Sequence, residues 1–239
     1  KYDARITEDW AIVRGDNLVP AATVKARKGA TAQARLIFQL PPGWTSVDTG
    51  WPRDKNGAFI IDNPQRNFDR PVGWIIAGKI GNRRDYLSAT QVSVAAPRDS
   101  GLQRMDILAF INFVWPEMER TFHHLPPKLL IVGAGDPMWR GGLSSPNSLF
   151  MHADRPLVSE NGTSSLLHEL VHVITRIRGE ENADWIAEGL VQAMRDLHIQ
   201  VPIVVRLAGT NVEKGAPILE ASGFPFIMAN NLDDAATKV

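Results

Sequence analysis

His168-Glu169-Leu170-Val171-His172 sits inside the run SSLLHELVHVITRIR, residues 164–178. Leu167, Leu170, Val171, Ile174 and Ile177 recur every three or four residues, which predicts one buried helical stripe. Asn161, Thr163 and Ser164 are candidate N-caps, Arg176 and Arg178 suit the negative end of the helix dipole, and Gly179 is a natural stop. Histidines four residues apart project from the same face of a helix, so His168 and His172 can meet one metal ion. Glu169, between them, is placed to polarise a metal-bound water, which is the arrangement of a zinc-dependent hydrolase.

A second helix is expected directly afterwards, capped by Asn182 or Asp184, with Ala183, Ile186, Ala187, Leu190, Val191, Met194 and Leu197 on its apolar face. A short turn makes the two helices close and antiparallel. His172 lies about 9 Å before the end of its helix at 1.5 Å per residue, and Glu188 returns a similar distance along the next. A catalytic zinc takes three protein ligands and leaves one position for water. His168, His172 and Glu188 form that ligand set, with Glu169 as general base. The opposing view of Glu188 is a solvated glutamate, and its mostly apolar neighbours argue against it. The metzincin pattern does not fit, because residues 174–178 hold neither glycine nor histidine.

HELVH followed by Trp185-Ile186-Ala187-Glu188-Gly189 resembles the gluzincin metallopeptidases, and most of all the aminopeptidase-N and glycyl-aminopeptidase branches. The strong part of the resemblance runs over residues 138–194. It implies zinc on His168, His172 and Glu188, catalysis through Glu169, and a substrate-binding strand at Gly141, Gly142 and Leu143 that pairs with peptide by strand addition. The implied reaction is peptide-bond hydrolysis. Zinc lowers the pKa of its water, Glu169 takes a proton as the water attacks and returns it to the leaving amine, and zinc shares the oxyanion charge.

Two parts of that family's apparatus are missing. Ser144-Ser145-Pro146-Asn147 follows the glycine-rich segment without the amine-binding glutamate, and the only tyrosines, Tyr2 and Tyr86, lie far upstream of the expected oxyanion donor. His198 and Arg206 are the nearest downstream donors. The tail after residue 199 is short for the family, as in a truncated chain, a compact variant or an inactive relative. The alternative function is therefore a weak or inactive gluzincin relative that binds a peptide or a partner.

The 239 residues carry 26 Lys and Arg against 26 Asp and Glu. A net charge of zero gives no support for nucleic-acid or anionic-membrane binding. No apolar run approaches the roughly 18 residues of a membrane span. The absence of cysteine excludes disulfides and thiolate ligands, so any metal must use histidine and carboxylate. The expected partner is a peptide or protein substrate, and oligomeric state is not legible. Analogy with the peptidases points to the periplasm or the exterior.

The expected fold class is α+β: a mainly-β, sandwich-like domain over residues 1–98, then a thermolysin-like peptidase domain over residues 99–239, divided at Ala96-Pro97-Arg98-Asp99-Ser100-Gly101. Strands are expected at 10–14, 22–26, 32–40, 58–61, 72–79 and 90–95, between turn clusters such as Lys55-Asn56-Gly57. Trp44, Trp51 and Trp74 read as core anchors, and the first domain could alternatively be a carbohydrate- or partner-binding module. A helix is expected over 102–123, bent or divided at Pro116, with His123 and His124 at its end. A buried strand follows at 128–132, then an edge strand at 148–152 beside the cleft, whose His152 could line that cleft but is expected at the surface.

Overall fold

The computed structural model describes all residues except 1–2, 21–24, 26–29, 31–32, 63–69, 123, 161, 177–182, 197, 199, 208–211 and 239. The expected strand at 22–26, His123 and the cap positions Gly179 and Asn182 fall largely or wholly outside the described residues. The fold is α+β, and its two compact units are Lys1–Arg176 and Ile177–Val239. The expected boundary at 98/99 lies inside the first unit, and the thermolysin-like architecture is not supported.

The first unit contains β1 (Arg5–Ile6), β2 (Trp10–Arg14), α1 (Gly15–Leu18), β3 (Ala34–Leu36), β4 (Ser46–Thr49), β5 (Phe59–Ile61) and β6 (Trp74–Gly78). It continues with β7 (Ile80–Leu87), β8 (Thr90–Pro97), α2 (Arg104–Thr121), β9 (Lys128–Ala134), β10 (Gly142–Ser145), β11 (Ser148–His152) and α3 (Ser165–Thr175). One sheet has the order β1-β2-β6-β4 and is antiparallel throughout. The other has the order β10-β11-β9-β8-β7, with β9 parallel to both β8 and β11. Helix α2 is the crossover that a parallel β8–β9 pair requires.

Strand alternation builds two cores. Leu129 and Ile131 of β9 point towards α2 and α3, where they meet Ile107, Ile111, Trp115, Leu166, Leu170 and Val173. Leu130, Val132 and Ala134 point the other way, onto Ile12, Trp74 and Ile76 of the first sheet. The five-stranded sheet is thus covered on both faces, and its central strand is apolar from Leu129 to Val132, as a doubly buried strand must be. Helix α2 runs on through Pro116 without being divided. Gly73 and Gly78 bracket β6 at φ 93° and φ 122°. A Cβ at Gly73 would stand 2.7 Å from the Pro146 carbonyl oxygen, so glycine is needed for the two sheets to approach.

Between the sheets lies a polar cluster. Asp48, 1% exposed, receives Lys128 Nζ at 2.5 Å on Oδ1, and Ser93 Oγ at 2.7 Å and Asn82 Nδ2 at 2.6 Å on Oδ2. Arg84 adds a further donor at 3.2 Å. Burial works against the Asp48 charge. The Lys128 ammonium, with Ser93 and Arg84, outweighs it and holds the carboxyl below the usual aspartate range.

The second unit contains α4 (Ala183–Asp196), β12 (Ile203–Val205), α5 (Val212–Ala221), β13 (Phe226–Met228) and α6 (Leu232–Lys238). Strands β12 and β13 are parallel, with Ile203 opposite Phe226 and Val205 opposite Met228, and α5 makes the crossover. Ala187 of α4, Val205 of β12 and Leu219 of α5 form its core, with Leu190, Val191, Ile218 and Phe226 packed around them. Asn231 Oδ1 accepts from the Asp234 backbone N–H at 2.7 Å and starts α6, and Lys238 Nζ closes it on the Met228 carbonyl at 2.9 Å. Among the described residues no helix is long and apolar enough to cross a membrane.

Candidate functional site

Helix α3 starts at Ser164, whose hydroxyl accepts from the Leu167 N–H at 3.2 Å, and ends at Arg176 with φ 56°. The side chains buried deepest are Leu166, Leu170 and Val173: Leu170 belongs to the expected stripe, and Leu166 and Val173 stand one position before its Leu167 and Ile174. That small rotation leaves His168 exposed, and Glu169 and His172 half-buried. The two Nε2 atoms are 3.1 Å apart, with the rings 75° from coplanar. One imidazole can donate to the other, according to tautomer.

Strand β10 is the sheet edge, and β11, expected there, is an interior strand between β10 and β9. Gly142 lies directly against Glu169, where a Cβ would overlap Glu169 Cγ. The Gly141 carbonyl accepts from the His152 N–H at 3.1 Å, and the Leu143 carbonyl from Trp74 Nε1 at 2.9 Å. Two carbonyls of the segment expected to receive a peptide therefore already have donors within the fold.

Glu188 belongs to α4 in the second unit and is exposed there. The apolar face of α4, read as packing against a metal-bearing helix, turns Ala187 and Met194 inward and joins α5 and β12 in the core of its own unit. Among the described residues, no group of three or more His, Cys, Asp or Glu side chains is arranged to hold a metal ion.

In the second unit the parallel strands β12 and β13 are joined through α5, and residues 208–211, before α5, lie outside the described residues. Arg206 is exposed at the carboxyl end of β12. Open parallel sheets bind phosphate and carboxylate groups at that position, on helix amides. The apolar runs Ile203-Val204-Val205 and Phe226-Ile227-Met228, separated by a helical pattern, carry the signal for this unit in the sequence.

His152, expected at the surface, is 2% exposed. It lies on the inner face of β11 with Phe150 and Ser148, and turns away from the α3 face.

The CoA-ligase family model matches residues 170–239. The beta subunit of an ADP-forming succinate–CoA ligase from Rickettsia bellii is 56% identical over 61 residues, 26% of this chain and 16% of that protein. Its counterpart from Rickettsia rickettsii is 46% identical over 89 residues, 36% of this chain and 23% of that protein. The chain thus spans less than a quarter of the length of these relatives. An aminopeptidase N family protein from Idiomarina loihiensis gives a TM-score of 0.48 at 16% identity, over 66% of this chain and 29% of that one, a likeness too slight to carry an argument.

These findings correct the peptidase reading. The matched segment includes Trp185-Ile186-Ala187-Glu188-Gly189 and the whole tail, on which the gluzincin resemblance and the third ligand depended. The gluzincin family, the zinc-metallopeptidase activity, the peptide-binding alternative and zinc as cofactor fall with it. So does the periplasmic or exterior location, which rested only on analogy with those peptidases. Over residues 170–239 the chain is instead similar to the CoA-ligase family.

Proposed function

We propose that the second unit is a CoA-ligase-type module, acting in nucleotide-coupled formation or cleavage of an acyl-CoA thioester. One observation carries the reading: the CoA-ligase match at residues 170–239 covers the whole of the compact unit Ile177–Val239. The parallel β12–α5–β13 arrangement supports it, since its strand ends and the α5 amino end suit an anionic group. Arg206, exposed just after β12, supplies a permanent positive charge. The relatives' names give the substrate class as a small dicarboxylate, succinate, with CoA and ADP. A nucleotide would bring Mg2+ as the counter-ion of its phosphates. The relatives are beta subunits by name, so a second type of subunit is proposed as partner.

Calorimetric titration with CoA, succinate and ADP tests this reading. Saturable binding of at least one, weakened about tenfold or more in Arg206→Ala, is expected from the loss of a charged hydrogen bond. Binding of none of the three would contradict it.

The polar face of α3 is a separate matter. We propose that His168, Glu169 and His172 form one surface with Gly141, Gly142 and Leu143. The close approach of Gly142 to Glu169 supports this grouping. Glu188 is assigned to the surface of the second unit.

A further inference from the structure

His152 ends β11 with its side chain 2% exposed and a carboxylate beyond each ring nitrogen. Nδ1 accepts from the Asp154 backbone N–H at 3.2 Å, with Asp154 Oδ2 at 3.7 Å. An imidazole nitrogen that accepts carries no proton, so the neutral ring has its proton on Nε2. Nε2 makes no well-formed hydrogen bond, and Asp136 Oδ1 lies 3.5 Å from it. Asp136 is engaged by Arg140, whose Nε donates to the same Oδ1 at 2.9 Å. Arg5 donates to the Asp136 carbonyl at 2.7 Å, and Arg155 to the Arg140 carbonyl at 2.8 Å. The charged groups around His152 are therefore Asp136 and Arg140 from the β9–β10 connection, Asp154 and Arg155 after β11, and Arg5 from β1.

We propose that His152 is a proton-operated latch joining residues 135–141 to the turn after β11. A proton from solvent adds to Nδ1, and the Asp154 N–H then faces a donor and loses its acceptor. The imidazolium instead directs its two N–H groups at Asp154 Oδ2 and Asp136 Oδ1, one charge-assisted pair on each side. Asp136 Oδ1 is drawn from Arg140 Nε, and the exposed Arg140 is released. The change is carried towards α3, because His152 N–H holds the Gly141 carbonyl and the next residue, Gly142, abuts Glu169. The latch is independent of the CoA-ligase reading, since every group in it belongs to the first unit.

Amide hydrogen exchange of the whole chain, read by NMR, tests the latch. The reference is the neighbouring Ala153 N–H, which donates to the Ala134 carbonyl and does not involve the imidazole. Protection of Asp154 relative to Ala153 is expected to fall about tenfold across an acid titration of the folded chain, as one hydrogen bond is lost. In His152→Asn, whose Oδ1 can accept the same N–H without titrating, the fall is expected to vanish. A constant ratio in the wild type, or an equal fall in the variant, would overturn the proposal. Nitrogen-15 shifts of the wild-type ring give a check that needs no variant. The Nε2–H tautomer at high pH supports the latch, and the Nδ1–H tautomer refutes it.

Discussion

Lys128 Nζ lies 2.5 Å from Asp48 Oδ1, with the two side chains 3% and 1% exposed. The pair ties β9 to β4 across the space between the two sheets. Removing one partner leaves the other charged and buried, which typically costs about 3–5 kcal/mol. Asp48→Asn is expected to destabilise the first unit by that order, measured by urea unfolding followed through the buried Trp51 and Trp74. Replacing both partners with apolar residues of similar volume is expected to cost less than either single change.

The same pair sets a dependence on pH. The Asp48 carboxyl sits below the ordinary aspartate range in the folded chain, so the unfolded chain binds its proton first as pH falls. The stabilisation is full above about pH 4 and is lost as pH drops further. Acid unfolding of the wild type is expected to show this loss, and Asp48→Asn is expected to lack the Asp48 component of it. Equal acid sensitivity in both proteins would contradict the assignment.

Gly142 and Glu169 should be energetically coupled. Gly142→Ala forces Glu169 out of its place, at about 1–3 kcal/mol for an overpacked site. In a Glu169→Ala background the same substitution has the space it needs, and most of the penalty is expected to disappear. A double-mutant cycle measures the difference, and additive effects would show that the two residues do not share a surface.

The second unit has its own small core. Leu219 is fully buried between α4 and β12, so Leu219→Ala is expected to destabilise that unit by about 2–5 kcal/mol. Hydrogen exchange should show the loss in α4, α5 and β12, while β9 and α2 keep their protection. Loss of protection in both units together would mean that they unfold as one.

Some of this was legible in the sequence. Helix α3 announced itself through its leucine and isoleucine spacing and the Ser164 cap, and the apolar run of β9 could only be a buried strand. Strand β7 was not legible, because Arg83, Arg84, Asp85 and Tyr86 are exposed on an edge and the strand is held by its ladder with β8. The pairing of Lys128 with Asp48 was not legible, since the two are 80 residues apart in sequence. An apolar stripe on α4 serves equally well against a metal-bearing helix or against α5, and spacing alone cannot separate the two. His152 followed Phe150 by two residues, and that alternation was the available signal for its inward side chain.

The central claim is that residues 177–239 bind ligands of the CoA-ligase reaction at the β12–α5 connection. Hydrogen exchange of the protein with and without CoA, succinate and ADP, each at saturation, tests it most directly. The account predicts that at least one ligand slows exchange at the amino end of α5 and the end of β12, an effect weakened in Arg206→Ala. No slowing anywhere in residues 177–239 with any of the three, or slowing confined to residues 1–176, would contradict it.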